Sequence, residues 1–238
     1  MLLIDKPYNI TSNKILEIIK RNFNINKIGH SGTLDPLATG MLTLFLGKAT
    51  KLAKYIINSD KIYIVTIILG IRTDTYDYEG NIISKNNINI NKIEIKNALK
   101  IFNGNINQIP PMFSSKKING YPLYKYARKK IKIIRYFKIV KIYYIKFLYL
   151  KLNKLILKIC CSKGTYIRKF VDDFGLYLNC GAYVSELRRT KIFNFSYKKM
   201  ITIKDIKNIL NIENNKYKKK NILNKLIIST KNFFKINK

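Results

Sequence analysis

The stretch 139–161 constrains the fold most, because its side chains alternate in the manner of antiparallel strands. The pattern is that of one or two antiparallel strands, with Asn153 as the expected turn. It is also the most apolar part of the chain, but five lysines interrupt it: Lys141, Lys146, Lys151, Lys154 and Lys158. A helix that crosses a bilayer needs about 20 predominantly apolar residues, so we exclude a membrane span here.

Strands and helices alternate along the rest of the chain without internal repeats, and we expect an α+β fold. Short apolar or β-branched runs predict strands at LLID (2–5) and KIYIVTIILG (61–70). Apolar residues at helical spacing predict helices after Thr11 and Ser12, over 92–102, from Ile167 to Leu178, and after Ile201. The run MLTLFLGKATKLAKYI (41–56) fits a strand or a helix equally well.

The charge of the chain indicates a polyanionic partner. Among 238 residues, 46 Lys and Arg stand against 13 Asp and Glu, which gives a formal charge of +33. Nucleic acid is the natural partner for such a surface. The abundance of Ile, Lys and Asn is also typical of an AT-rich genome, and a merely solvated basic surface stays an alternative. The charge therefore suggests a class of partner and locates no site.

The cysteines and the N-terminus point to a reduced, cytoplasmic protein. Cys160, Cys161 and Cys180 are too few and too irregularly spaced for a disulfide framework, and adjacent cysteines of a strand face opposite sides. The paired spacings of a zinc site are missing. No apolar segment near the N-terminus has the length of a signal peptide.

The loop GHSGTLDPLATG (29–40) contains the only histidine, His30, together with Asp35. Asp followed by Pro is a common way to begin a helix, but Gly40 would end such a helix after about one turn. Gly29 and Gly32 permit the close approach of a bulky ligand. A helix cap and a ligand-binding loop are both compatible with these residues.

The same loop opens a segment, GHSGTLDPLATGMLTLFLGKATKLAKY (29–55), that resembles the signature of the TruB family, the tRNA pseudouridine-55 synthases. Five further segments resemble the family in the same order: LLIDKP (2–7), SDKIYIV (59–65), QIPPMFSSKKINGYPLYKYAR (108–128), CSKGTYIRKFVDDFG (161–175) and LRRT (187–190). The resemblance covers most of residues 1–200. It implies the pseudouridine synthase fold, a mixed, largely antiparallel central sheet with flanking helices and loops.

The resemblance also implies a reaction. The enzyme would isomerise uridine 55 in the T-loop of tRNA by breaking the glycosidic bond and reattaching the base through carbon 5. This chemistry is redox-neutral and needs no cofactor and no metal. Asp35 aligns with the essential carboxylate, which acts either as a nucleophile or as a base at the ribose.

The family's other site residues carry over by position. Arg168 matches an arginine that pairs with the aspartate, and Tyr63 matches a tyrosine that lies against the base and helps to remove the proton from carbon 5. The residues expected to bind substrate are His30, Tyr166, Leu187, Lys6 and Lys116. The resemblance implies that Tyr166 and Leu187 contact the base, that His30 contacts the RNA, and that the two lysines contact phosphates or support the site. Taken without the resemblance, Tyr63 is a strand residue and Arg168 a surface residue in the first turn of a helix.

The expected partner is the T-arm stem-loop of tRNA, bound by a monomer with its target uridine flipped out. The basic stretch KYARKKIKIIRYFK (125–138) lies on the RNA side in the family, or is simply a helix leading into a charged strand. We expect a catalytic domain over 1–200 and a short Lys- and Asn-rich extension over 201–238, without the PUA domain of bacterial members. The run NNKYKKKN (214–221) is solvated or touches RNA.

Three other functions remain open. The chain could keep the binding pocket but have no catalytic activity, and would then be an RNA-binding protein that helps tRNA to fold. It could also be a general basic binder of nucleic acid, which would leave the order of the motifs unexplained. A synthase could also modify another uridine or several RNAs.

Overall fold

A computed structural model describes residues 1–195, 197–212, 223, 224 and 226–228, and the run 214–221 lies outside these residues. The strands are β1 (Leu2–Lys6), β2 (Ile28–His30), β3 (Thr39–Leu46), β4 (Lys61–Leu69), β5 (Ile71–Thr73), β6 (Ile82–Lys85), β7 (Gly104–Gln108), β8 (Lys117–Ile118), β9 (Tyr121–Pro122), β10 (Lys138–Lys151), β11 (Lys154–Cys161), β12 (Ala182–Ile192) and β13 (Ile201–Thr202). The helices are α1 (Ser12–Phe23), α2 (Ala53–Ile57), α3 (Lys92–Ile101), α4 (Leu123–Arg128), α5 (Ile167–Tyr177) and α6 (Ile203–Ile212), with 3₁₀ helices at Gly47–Leu52 and Tyr197–Lys199.

The chain forms two compact units, residues 1–59 with 188–238 (unit 1) and residues 60–187 (unit 2). In unit 1, β3 pairs antiparallel with β1 and β2, and parallel with the end of β12. The short β13 runs parallel to β1. Unit 1 therefore contains mixed strand pairing around β3.

Strand β3 explains why periodicity did not decide the structure of residues 41–56. Its six central residues, Thr43 included, are all buried, so both faces of the strand pack against protein and no exposed polar residue marks a face. The phenyl ring of Phe45 packs with Met1, Met41, Ile56 and Ile192 in the core of unit 1. Helix α1 begins as expected, since the Thr11 hydroxyl accepts a bond from the Lys14 amide, and Ile15 and Ile19 are buried.

Unit 2 is built on an antiparallel sheet in the order β4, β11, β10, β7, with the first part of β12 beside β4. The predicted hairpin of residues 139–161 is confirmed as β10 and β11, joined through Leu152 and Asn153. Buried and partly exposed residues alternate along β11, and Cys160 and Cys161 face opposite sides as expected. Phe102, directly after α3, forms a cluster of contacting rings with Phe170 and Phe174 of α5.

These pairings confirm the α+β class and the mixed, largely antiparallel strands. The proline-containing segment after β7 has no long strand, and β8 and β9 pair only with each other. The basic stretch 125–138 comprises the end of α4, an irregular segment and the first residue of β10. Among the residues that the structure describes, no helix has the length and apolar character to span a membrane.

Candidate active site

The loop that carries Asp35 is a tight turn between β2 and β3. The Ala38 amide donates to the Asp35 carbonyl at 3.0 Å, with Pro36 in the second position of the turn. No helix begins at Asp35, so the turn replaces the cap interpretation. Ser12 binds the residue before Asp35 twice, because its hydroxyl accepts from the Leu34 amide at 2.9 Å and donates to the Leu34 carbonyl at 3.1 Å. The half-buried Asp35 thus sits on a loop fixed to the start of α1.

Arg189 fastens both ends of this loop from β12. Its side chain is 2% exposed, and it donates from Nε to the Met41 carbonyl at 2.8 Å and from Nη2 to the Gly32 carbonyl at 3.1 Å. Gly40 lies beside Arg189 in the pairing of β3 with β12 and has φ +96°. A Cβ at Gly40 would be 2.3 Å from the Arg189 carbonyl oxygen, so only glycine fits there.

Lys6 lies in the interior beneath the turn. Its Nζ donates to the carbonyls of Pro7, Ile10 and Pro36 at 2.8, 2.7 and 3.1 Å. Burial lowers the pKa of Lys6 to about 8, the negative charge of Asp35 opposes that change, and the charge of Arg189 adds to it. The side chain is fully buried, which favours the support interpretation over a phosphate contact.

His30 is the last residue of β2 and is half-buried. Its Nδ1 accepts a hydrogen bond from the Gly32 amide at 3.2 Å, which requires an unprotonated nitrogen at that position. Burial and, next, the charge of Arg189 lower the pKa of His30. The ring is therefore neutral at pH 7, as suits a residue that stacks or donates a single hydrogen bond.

In unit 2, Arg168 occupies the first turn of α5 and is buried. Its Nη1 and Nη2 donate to the Thr75 and Phe113 carbonyls at 3.0 and 2.6 Å. Nη1 is also 3.2 Å from Oδ2 of Asp77, and each of these two side chains is 5% exposed. Arg168 lies at the N-terminal end of α5, where the helix dipole disfavours a positive charge, and the Asp77 carboxylate compensates that charge. Arg168 is thus a fixed, buried cation rather than a surface residue.

The sequence did not single out Asp77. Its Oδ1 accepts from the Thr75 hydroxyl and from the Glu79 amide, so the carboxylate is held in place before it meets Arg168. A signal was present, because three of the chain's 13 acidic residues fall within TDTYDYEG: Asp74, Asp77 and Glu79. In so basic a chain, that concentration marks a place where carboxylates are needed.

The remaining unit 2 residues are positioned by the sheet and by the start of α5. The Tyr166 amide donates to Oε1 of Gln108 at 2.8 Å, and Nε2 of Gln108 donates back to the Tyr166 carbonyl at 3.1 Å. Tyr63 pairs with Ile159 in the middle of the sheet and is 8% exposed. Leu187 on β12 is buried, whereas Lys116 is exposed.

The predicted residues therefore fall into two sets, one in each unit. Asp35, Lys6 and His30 lie around one loop of unit 1, and Arg168 and Tyr166 lie together at the start of α5 in unit 2. In the part of the chain that the structure describes, no cluster of three or more His, Cys, Asp or Glu has the geometry to hold a metal ion.

Comparison with known proteins matches two family models to this chain. The N-terminal domain of the TruB family pseudouridylate synthases matches residues 20–167, and the C-terminal domain of tRNA pseudouridylate synthase B matches residues 168–234. The tRNA pseudouridine synthase B of Psychromonas ingrahamii is 47% identical over 88% of this chain and 68% of its own length. That of Shewanella denitrificans is 45% identical over 87% of this chain and 65% of its own length. The chain thus spans about two thirds of these relatives.

Solved structures show the same fold. A Cbf5-Nop10-Gar1 complex contains a chain that superimposes with a TM-score of 0.71 and 29% identity, over 90% of this chain and 55% of that one. An H/ACA RNP bound to a substrate RNA containing 2'-deoxyuridine gives a TM-score of 0.67 and 25% identity, over 92% of this chain and 57% of that one. The expected pseudouridine synthase fold is confirmed. The chain belongs to the TruB family of pseudouridylate synthases.

Proposed function

We propose that this protein isomerises uridine 55 in the T-loop of tRNA to pseudouridine, with Asp35 as the essential carboxylate. The observation that carries the proposal is the way in which the Asp35 turn is held. Three side chains bind the backbone of this loop and its ends. Ser12 binds at Leu34, Arg189 binds at Gly32 and Met41, and Lys6 binds at Pro36. A carboxylate that is half-exposed on so fixed a loop is suited to meet a reacting group in one geometry.

The reaction rearranges one nucleotide without loss or gain of atoms. The bond between C1' of the ribose and N1 of uracil breaks, the base rotates and C1' bonds to C5. C5 then gives up its proton to solvent and N1 takes one up, so no atom is gained or lost overall. Asp35 either attacks the sugar or takes a proton from it, and the same placement serves both routes. Substrate and product are isomers, so the balance includes no cofactor.

The other residues are given the roles that the resemblance to the family implies, and their chemistry is compatible with those roles. Tyr63 helps to remove the C5 proton, while Tyr166 and Leu187 hold the flipped base between an aromatic and an apolar side chain. Arg168 is the cation that the resemblance assigns to the catalytic site, and Asp77 keeps its guanidinium oriented. His30 contacts the RNA as a neutral ring, Lys116 contacts phosphate, and Lys6 supports the turn.

The names of the relatives support tRNA as the substrate class, and the H/ACA structure supports RNA binding by this fold. The T-arm as the recognised element, a monomeric state and a cytoplasmic location stay predictions. The division into a catalytic region over 1–200 and an extension over 201–238 also stays a proposal.

Mapping of the modified position tests the proposal. Purified protein is incubated with an unmodified tRNA transcript and with a transcript in which cytidine replaces uridine 55, and pseudouridines are located by primer extension after carbodiimide treatment. We expect one stop at position 55 in the first transcript and none in the second. Stops at other uridines in both transcripts would contradict the assigned position, and the absence of any stop would contradict the activity.

A further inference from the structure

The face of the unit 2 sheet that is turned away from the core carries alternating rows of lysine and tyrosine. Leu155, Leu157, Ile159 and Cys161 of β11 are buried, so the residues between them face outward. Residues paired across neighbouring strands share a face, and the pairing aligns four rows across β10, β11 and β4. The rows are Tyr144, Cys160 and Ile62; Lys146, Lys158 and Ile64; Tyr149, Ile156 and Thr66; and Lys151, Lys154 and Ile68.

Two of these rows place lysines directly opposite each other. Lys146 pairs with Lys158, and Lys151 pairs with Lys154. Like charges in opposed positions of a sheet are destabilising, and β10 and β11 contain no acidic residue. Within the described residues, none of the four lysines forms an ion pair. A bound anion would relieve the repulsion between the paired lysines.

Two carboxylates among the described residues bond to side chains of β4 and β10. Glu186 of β12 accepts a hydrogen bond from the Thr66 hydroxyl at 3.3 Å. Asp60 bonds to the Tyr143 hydroxyl and thereby raises the pKa of that tyrosine. In the part of the chain that the structure describes, neither carboxylate pairs with any of the four lysines, so the centre of the face keeps its positive charge.

The tyrosine rows supply flat aromatic surface between the cations. Tyr144 and Tyr149 are 38% and 44% exposed, although outward positions of an antiparallel sheet usually carry polar residues. Successive rows are about 7 Å apart along a strand, from a rise of about 3.4 Å per residue. Surfaces that combine aromatic rings with a line of positive charge are typical of sites for single-stranded nucleic acid, where bases stack and phosphates meet cations.

We infer that this lysine-tyrosine face binds a single-stranded stretch of RNA, with phosphates at the two lysine pairs and bases against Tyr144 and Tyr149. The face is separate from the position assigned to the target base, because Tyr63 pairs with Ile159 and points to the opposite side of the same sheet. RNA on this face adds affinity without touching the reacting uridine. The inference rests on the proposed function only for the choice of RNA as the polymer.

The test measures binding of a fluorescent oligoadenylate of about 12 nucleotides, a length within the usual site size for single strands. This probe contains no uridine and therefore reports nothing on turnover. The double variant Lys146→Gln, Lys158→Gln should bind the probe about tenfold more weakly. Its slope of log K against log salt should be smaller by about 1.4, as expected when two phosphate contacts are lost from a single strand.

A matched control makes the same charge change on α3, where Lys96 and Lys100 are exposed. The variant Lys96→Gln, Lys100→Gln should bind the probe nearly as well as the parent. Tyr149→Ala should weaken binding about tenfold and Tyr149→Phe should not, because stacking needs the ring and not the hydroxyl. The β10 and β11 lysine variant should melt at or above the parent's temperature, since it loses a repulsion.

Equal losses in the two lysine variants would overturn the inference, since general charge would then explain the binding. Normal binding by Tyr149→Ala would overturn it too. The proposed function can fail independently of this inference. If the parent protein shows no turnover but its probe binding still depends on Lys146 and Lys158, the function is refuted and the RNA-binding face is supported. If turnover is normal but none of these variants changes probe binding, the RNA-binding face is refuted and the proposed function is supported.

Discussion

Arg168 and Asp77 form an ion pair that is almost fully withdrawn from water, with 3.2 Å between Nη1 and Oδ2. The acid is already held by Thr75 and by the Glu79 amide, and the guanidinium also binds two carbonyls. A charge in such surroundings is stable only while its partner is present. In the proposed mechanism, Asp77 acts on the reaction through Arg168, as a positioning residue.

Replacement of Asp77 by asparagine should lower both stability and turnover. Removal of one partner from a buried pair costs about 3–5 kcal/mol, and an Arg168 that has shifted by about 1 Å reduces turnover on the order of a hundredfold. Urea unfolding and single-turnover assays measure the two effects. Asp74→Asn, in the same loop but with exposed hydrogen bonds to Asn81, is the control. Equal behaviour of the two variants would refute the role of Asp77.

Replacement of Arg189 by lysine should reduce turnover on the order of a hundredfold and leave RNA affinity within about twofold. A lysine has no planar fork with which to reach the Met41 and Gly32 carbonyls together, so the Asp35 turn loses one of its fixed ends. Arg188→Lys is the matched control, since Arg188 is partly exposed and pairs with Asp5. A loss confined to KM in Arg189→Lys would contradict the positioning role.

Gly40→Ala should destabilise unit 1 more than Gly47→Ala. Both glycines have positive φ, at +96° and +57°, but only the Cβ at position 40 would meet backbone, at 2.3 Å from the Arg189 carbonyl oxygen. The strain of positive φ alone costs about 1–2 kcal/mol, and the clash at Gly40 adds to it. Chemical denaturation of the two variants gives the difference directly. Similar losses would mean that β3 and β12 separate easily at this point.

His30 should make the fold less stable in mild acid. Its pKa in the folded protein lies below the ordinary 6.5, chiefly because it is buried. Below pH 6.5 the imidazole is protonated more readily in the unfolded chain than in the folded one, so unfolding becomes easier as the pH falls below about 6.5. His30→Gln should lose this part of the pH dependence of Tm. The chain has one histidine, so its imidazole NMR signals titrate without overlap. A measured pKa above 6.5 would contradict this prediction.

Elements with one buried face were predictable from the sequence. The hairpin of β10 and β11 and the stripe of α5 each leave a periodic record, because water lies on one side and the core on the other. Strand β3 leaves no such record, because both of its faces are buried. The Asp35 turn was ambiguous for a different reason, since Asp followed by Pro suits a helix start and a turn equally well.

Residues of the candidate site that lie in family motifs were predictable from the sequence. Residues whose placement depends on contacts between distant parts of the chain were not. Asp35, Tyr63 and Arg168 lie in segments that resemble the family. Lys6 is buried partly through its bond to the carbonyl of Pro36, 30 residues away. A local sequence pattern cannot predict such a contact. Asp77 depends in the same way on Arg168, which lies far along the chain and meets it only through the packing of α5.

The most direct test of the account is tritium release from tRNA that carries tritium at carbon 5 of uridine, measured with the parent protein and with Asp35→Asn. Asp5→Asn serves as the control, since Asp5 pairs with Arg188 and has no assigned role in the chemistry. The account predicts release by the parent and by Asp5→Asn, none by Asp35→Asn, and tRNA binding by all three. Release by Asp35→Asn at the parent's rate would contradict it.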